Sequence, residues 1–340
     1  MVRPPRQVLD HWFDRDEVVA VERLAGGYLN DVYRVDTTDA RYALRVGSAS
    51  TAAPMVEWEI RVLAYLRAHG FPVPDTVPAR DGALAIEHDG RVAVLLTFLE
   101  GDEPKRDHPA HRIAAAQMLA ALHRALAGFD APPRPGWSVD AVTPALLVDL
   151  DWRQNRLWDW SAVRGELEGS SRFAVPVEGG AAALVEEVEH HLRTVSERIE
   201  HLRRAGLPVQ VVHGDYWPGN LRIADGEIRG IFDWDDTHHD WRAVEVGRAA
   251  YEFARRVGPV GVQADDVGGF IDAYRAAGGE VLVPEREAFP VLLAVARLTE
   301  TLWDFTIAPL ATRGEEDWEY LRASLRLLRL LEGSPGPFVS

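Results

Sequence analysis

Residues 213 to 220 read HGDYWPGN, a histidine, a carboxylate and an amide gathered around a Pro-Gly turn directly after the apolar run LPVQVV. Further on, a second apolar run, EIRGIF, leads into DWDD, which opens at Asp233. The runs VQVV and EIRGIF flank the turn signal ADG, which predicts a small hairpin. Such a hairpin returns the chain beside its start and sets Asp233 close to Asp215 and Asn220. A carboxylate and an amide oxygen are hard ligands suited to magnesium, which takes one or two protein oxygens and fills its other positions with nucleotide phosphate and water. Asn220 and Asp233 are therefore assigned to the metal, with Asp235 holding a second ion or supporting the first. Asp215 is left to accept a proton from an attacking hydroxyl, or to orient it. His213 accompanies it in the catalytic set and is read as holding the loop by hydrogen bonds.

The whole chain bounds what this chemistry can serve. Its 340 residues are 47% hydrophobic, enough for one large domain or two lobes with real cores. The net charge of -16 opposes nucleic acid and anionic lipid and favours a cationic or neutral partner. There is no cysteine, so disulfides, thiolate metal sites and cysteine nucleophiles are excluded. The start lacks a basic region followed by a long apolar run, and no apolar stretch approaches the roughly 20 residues that span a bilayer. A cytoplasmic protein with no membrane partner is expected. Lys105, the single lysine, is followed by Arg106 and has no Gly-rich loop before it, which excludes a Walker A phosphate loop.

The elements that must position these residues fall into two halves. VVAVERL, DVYRVDT and RYALRV read as a meander of three strands, and ALAIE with RVAVLLTFL as a hairpin. Between them MVEWEIRVLAYLRAHG carries Met55, Trp58, Val62 and Leu66 at helical spacing, closed by Gly70. Five strands and one helix thus precede Glu100. Beyond it the periodicity predicts helices over HRIAAAQMLAALHRALAGF, 181 to 205, about 243 to 257, 285 to 308 and 315 to 332. Between the first two of these, a Pro-rich loop leads into a tryptophan-dense helical segment. The expected boundary falls near Glu100, dividing residues 1–99 from residues 100–340.

HGDYWPGN followed by IFDWDD resembles the H-x-D-x-x-x-x-N and I-D-[FW]-[DE] motifs of the aminoglycoside phosphotransferase and choline kinase-like superfamily, which shares the protein-kinase fold. The likeness extends along nearly the whole chain. LAGGYLNDVYRV resembles that family's Gly-rich nucleotide loop, RYALRV its third strand, EIRVLAYLRAHGFPVP its first-lobe helix, and LLTFLEGDEP its interlobe hinge. The resemblance implies a bilobal α+β fold, with an antiparallel β-sheet lobe carrying one helix and a mostly α-helical second lobe. It also implies Mg2+, with ATP or GTP as phosphoryl donor. The acceptor would be a hydroxyl of a small molecule: an aminoglycoside or other antibiotic, an aminosugar, choline or homoserine.

Arg45 stands where the family has a lysine or arginine, and its planar fork can contact two phosphate oxygens. Strand alternation puts Ala43 on the same face, where a small side chain can roof the base. Glu59 is the chosen partner of Arg45, with Glu57 as the alternative. Gly26 and Gly27 allow a close approach to phosphate, Asn30 adds a polar cap, and Glu100 and Gly101 mark the hinge whose backbone would bind a purine. For the acceptor, two groups of carboxylates and indoles suit a sugar or an amine. One is Trp152 and Asp159, with Asp151, Trp158 and Trp160 nearby; the other is Glu300, Trp303 and Asp304, with Glu300 and Asp304 four apart on one helix face. Trp217, inside the octapeptide, joins them.

Other classes compete. DWDDTHHDW holds a His-Asp doublet that could mark an HD-type metal phosphohydrolase, but such enzymes are all-helical and the first hundred residues would be surplus. His238 and His239 are read as solvated rather than as ligands. A kinase-fold binding module without catalysis is opposed by the retention of Asp215, Asn220 and Asp233.

Overall fold

The computed structural model describes residues 6–24, 30–49, 51–136, 160–169, 175–256, 261–307 and 314–333. The expected meander is present as β1 (Val18–Arg23), β2 (Asp31–Thr37) and β3 (Arg41–Val46). The hairpin follows as β4 (Ile86–His88) and β5 (Arg91–Thr97), turned by Asp89 and Gly90 at φ 49° and 72°. All five strands form one antiparallel sheet in the order β1-β2-β3-β5-β4. Successive side chains of a strand point to opposite faces, and β5 uses both. Val92 and Val94 pack against Val56 and Ile60 of α2 (Ala53–Ala68), whereas Ala93 and Leu95 join Tyr33, Val35 and Leu44 on the other side. Arg45 is paired with Val94 across the sheet, so its side chain shares the face that meets α2.

A four-residue helix, α1 (Arg6–Leu9), covers the other face through Val8, Leu9 and the nearby Trp12. It is too short to show a helical period in sequence. Arg6 and Gln7 precede its apolar pair, so only the tertiary contact reveals it.

The second lobe is helical, as expected: α3 (Pro109–Leu126), α4 (Trp160–Glu168), α5 (Gly180–Ala205), α6 (Arg242–Ala254), α7 (Ala264–Ala276), α8 (Val283–Ile307) and α9 (Glu315–Gly333). Leu119, Ile199, Phe253, Phe270, Phe289 and Leu328 belong to one core shared by these helices. Helix α7 was not anticipated. Gly268 and Gly269 in its middle weaken the propensity signal, yet Val267, Phe270 and Tyr274 supply the buried stripe, and their burial overrides the cost of the glycines. Among the described residues no helix is long and apolar enough to cross a membrane.

The small hairpin differs from its sequence reading in one partner. EIRGI, strand β8 (Glu227–Ile231), pairs with β7 (Leu221–Ala224) around Asp225 and Gly226, both at positive φ. VQVV, strand β6 (Val209–Val212), pairs instead with β9 (His238–Trp241), which carries the two histidines. The His-Asp doublet thus lies on a strand, not the helix an HD-type site requires, and His238 is buried rather than solvated, its Nε2 3.2 Å from Asp240 Oδ2.

Candidate active site

The octapeptide leaves β6 in a turn that only glycine can make. Gly214 has φ 87°, and a Cβ there would stand 2.3 Å from the Asp236 carbonyl oxygen. That contact presses the 213–220 loop onto the DWDD loop. His213 is fully buried and pinned at both ring nitrogens: Nδ1 accepts from the Asp215 N–H at 3.2 Å and Nε2 donates to the Phe232 carbonyl at 3.0 Å. Burial depresses its basicity, so the ring is neutral and ties the two loops together. Beneath it, the Glu245 carboxylate accepts from the His213 N–H at 3.2 Å and the Gly214 N–H at 2.7 Å, and it meets His123 Nε2 at 2.8 Å.

Asp215 is half-buried at the centre. Its Oδ2 accepts from Asn220 Nδ2 at 2.8 Å and from Trp217 Nε1 at 3.1 Å, and its Oδ1 lies 2.8 Å from Arg248 Nη2. Burial pushes the Asp215 carboxyl up to about 6 against the opposing pull of Arg248. The Trp217 ring folds over Gly219, where an added Cβ would overlap it at 2.3 Å.

The β7–β8 hairpin brings the metal loop back to this point. The Phe232 N–H donates to the Asn220 carbonyl at 3.1 Å, which sets Asp233 beside Asn220. Asp233 adopts the left-handed conformation, φ 66° and ψ 61°. Burial and the neighbouring Asp235 and Asp215 push the Asp233 carboxyl well above the ordinary range, and burial with Asp236 raises that of Asp235. The repulsion that Asp233 and Asp235 feel from each other, from Asp215 and from Asp236 is what a divalent cation relieves. The Asn220 amide spends its nitrogen on Asp215, leaving its oxygen as the atom suited to a hard cation. The residues therefore fit magnesium.

On the nucleotide side, Arg45 and Glu59 make a buried two-point pair, while Glu57 is exposed. Ala43 shares the Arg45 face, opposite Leu96 of β5. Asn30 does not stay with the glycine loop alone. Its Nδ2 donates to Asp235 Oδ2 at 2.6 Å and its Oδ1 accepts from the Ser48 N–H at 3.2 Å, linking the first lobe to the metal loop. Gly26 and Gly27 lie outside the described residues. At the hinge, the Glu100 side chain is exposed and bound to Arg41 at 2.6 Å. Gly101 has φ 131°, and a Cβ there would stand 3.0 Å from the Ile223 carbonyl oxygen. The following residue, Asp102, pairs with Ile223 through two backbone hydrogen bonds of 3.0 and 2.8 Å.

Of the residues expected to meet the acceptor, Glu300 projects from α8 to Arg297 at 2.7 Å and to Arg248 at 3.4 Å. Trp303 and Asp304 continue that helix, but their side chains, like the residues Trp152 and Asp159, lie outside those described.

The sequence profile of the phosphotransferase enzyme family matches residues 20–289, which contain every described part of this constellation but Glu300 and its partner Arg297. The chain belongs to that family. Homoserine kinases of Hyphomonas neptunium and Phenylobacterium zucineum are 26% and 27% identical to this family member, over 95% and 91% of its length and 94% and 88% of theirs. The homoserine kinase of Nitrobacter hamburgensis is 25% identical over 69% of the chain, and the match spans 63% of that relative's length. A microcompartment-associated aminopropanol kinase superposes with a TM-score of 0.71 at 18% identity, covering 97% of both chains. An amicoumacin kinase in complex with AMP-PNP and Ca2+ gives 0.69 at 16% identity, covering 96% of this chain and 92% of that one. These likenesses show the bilobal kinase-like fold.

Two arginines of the candidate site are absent from the sequence reading. Arg248 sits in α6 one turn beyond Glu245, a spacing that could have put it on the same face. Arg134 comes from the Pro-rich loop and is buried, donating to the Asp235 and Thr237 carbonyls at 2.5 and 3.0 Å. Beside it the Pro132 carbonyl accepts from Trp58 of α2 at 2.7 Å, so this loop clamps α2 to the metal loop. No local pattern marks such a residue, because its partners are backbone oxygens a hundred positions away.

Proposed function

We propose that this protein is a small-molecule kinase that transfers the γ-phosphoryl of ATP or GTP to a hydroxyl of an amine-bearing acceptor, an amino alcohol or aminosugar. The observation that carries the reading is the junction of Asp215 with Asn220 at 2.8 Å, with Asp233 delivered beside Asn220 by the same hairpin. A base for the acceptor and two oxygen donors for a cation would then serve one reaction centre. Asn220 and Asp233 would hold Mg2+, with Asp235 in support; the ion when bound supplies positive charge to the phosphate oxygens. Arg45, fixed by Glu59, would brace those phosphates. Residues before Glu100 would hold the nucleotide, and the backbone at Glu100 and Gly101 would meet its base.

Asp215 would accept a hydrogen bond from the acceptor hydroxyl and align it for in-line attack, which is most of what this chemistry asks of a side chain. Its elevated affinity for protons suits it to take the hydroxyl proton near neutrality. The relatives named homoserine kinase and the structural neighbour named aminopropanol kinase support an acceptor of this size. A coupled nucleotide-turnover screen with ATP and GTP against amino alcohols, aminosugars, choline, homoserine and aminoglycosides tests the assignment. Magnesium-dependent turnover with one acceptor class is the expected result; hydrolysis or silence across the whole set refutes it.

A further inference from the structure

The two oxygens of Asp215 are divided between different partners. Oδ2 takes Asn220 and Trp217, whereas Oδ1 faces Arg248 Nη2 at 2.8 Å. Arg248 also donates from Nη1 to the Gly214 carbonyl at 3.0 Å, and its Nη2 lies 3.4 Å from Glu300 Oε1. Glu300 is in turn bound by Arg297 at 2.7 Å, and Arg297 is only 1% exposed. Asp215, Arg248 and Glu300 are each about a quarter to a third open, at 24%, 28% and 30%. Glu300, which looked free to take a cation in sequence, is therefore already ion-paired here to Arg248 and Arg297, and Asp215 shares Arg248. Beyond these pairs, Arg106 lies 5.5 Å from the centre of the Trp217 ring and 3.5 Å from the Glu252 carboxylate.

Among the described residues, a polycationic acceptor meets no unspent carboxylate at Asp215 or Glu300. Each ammonium it brought to Glu300 would have to displace a guanidinium, one of them buried. A carboxylate, by contrast, can take Arg248 in a charge-assisted pair and draw it off Asp215, which leaves Oδ1 open to the hydroxyl. An ammonium on the same molecule then replaces Arg248 at Glu300.

We propose that Arg248 is a carboxylate-reading residue, and that the acceptor carries a carboxylate a few bonds from the hydroxyl addressed by Asp215, as a short hydroxy amino acid does. The proposal rests on the kinase reading of Asp215. With hydrogen bonds of ~2.8 Å on either side, a hydroxyl on Asp215 and a carboxylate on Arg248 stand roughly 5 to 6 Å apart. A three- or four-carbon chain spans that distance.

The test uses two matched pairs that differ only by the carboxylate: L-homoserine with 3-aminopropan-1-ol, and L-serine with ethanolamine. Calorimetric binding to the full chain loaded with AMP-PNP and magnesium, and kcat/KM with ATP, are measured for each. The expected result is a preference of roughly 10- to 100-fold for the acid in at least one pair, the range of a charge-assisted hydrogen bond. In Arg248→Met that ratio collapses toward one, and Arg248→Lys keeps part of it; as a ratio within one protein, it cancels any general damage done through Asp215. Equal binding within both pairs, no binding of either acid, or a ratio unmoved in Arg248→Met overturns the proposal. The wild-type ratio decides even if a variant fails to fold. A binding preference without phosphoryl transfer would refute the kinase reading and leave Arg248 its role, whereas turnover of the amines with no preference for the acids would do the reverse.

Discussion

Arg45 and Glu59 are joined at two points, Nη1 to Oε1 at 2.8 Å and Nη2 to Oε2 at 2.6 Å, with side chains only 8% and 3% exposed. Each holds the other's charge away from water, so removing one strands its partner. Glu59→Ala and Arg45→Met are each expected to cost about 3–5 kcal/mol in urea denaturation. The double variant should cost clearly less than the sum, because the second removal takes away a charge already stranded. Strict additivity would show that the two are uncoupled. Among folded variants, Arg45→Lys should raise the nucleotide KM less than Arg45→Met, since the charge survives but the fork does not.

Asp215→Asn preserves shape and keeps an oxygen to accept from Asn220 and Trp217. The loop should therefore stay in place while the proton acceptor is lost. Turnover is expected to fall by about 10²–10⁴-fold, with nucleotide affinity nearly unchanged in a direct titration. Wild-type turnover in this variant would remove Asp215 from its proposed role.

Much of this was legible because the informative residues are local. HGDYWPGN and DWDD carry their chemistry in short windows, and alternation along RYALRV put Arg45 on the face of α2, where Glu59 rather than Glu57 is buried. What sequence could not give were long-range satisfactions. β6 met β9 instead of β8 because strand pairing depends on where the chain returns, not on the nearest apolar run. Asn30 reached Asp235 across the lobes, and Glu300 proved to be matched by Arg248 and Arg297, which turned an apparently cation-seeking acid into part of an ion-paired network. Charges read one at a time overstate the field they make together.

Glu245 sets an acid limit on stability. Burial alone would raise its pKa, but the hydrogen bond and charge of His123 and the hydrogen bond from the Gly214 N–H outweigh it and hold the group below the ordinary value of 4.5. A carboxylate whose folded value is depressed stabilises fully above the unfolded value and loses that contribution as pH falls through the folded one. The wild-type thermal midpoint should therefore drop on acidification below about 4.5 more steeply than that of Glu245→Gln, which starts lower at neutral pH. Parallel acid limbs for the two proteins would mean that Glu245 contributes no pH-dependent stability.

Gly214 and Gly226 separate backbone strain from close approach. Both have positive φ, 87° and 78°, but a Cβ at Gly226 meets nothing within 4 Å while one at Gly214 stands 2.3 Å from the Asp236 carbonyl oxygen. Gly226→Ala should cost only about 1–2 kcal/mol, the price of a left-handed alanine. Gly214→Ala adds the overlap and must push the 213–220 loop off the metal loop, so it should cost more in urea denaturation. It should also raise the magnesium concentration needed for half-maximal nucleotide binding, an effect that Gly226→Ala, at the far end of the hairpin, has no means to produce. If the two alanines cost the same and bind magnesium and nucleotide alike, then glycine is required at position 214 by its dihedral angle alone, and the contact with Asp236 is not what aligns the two loops.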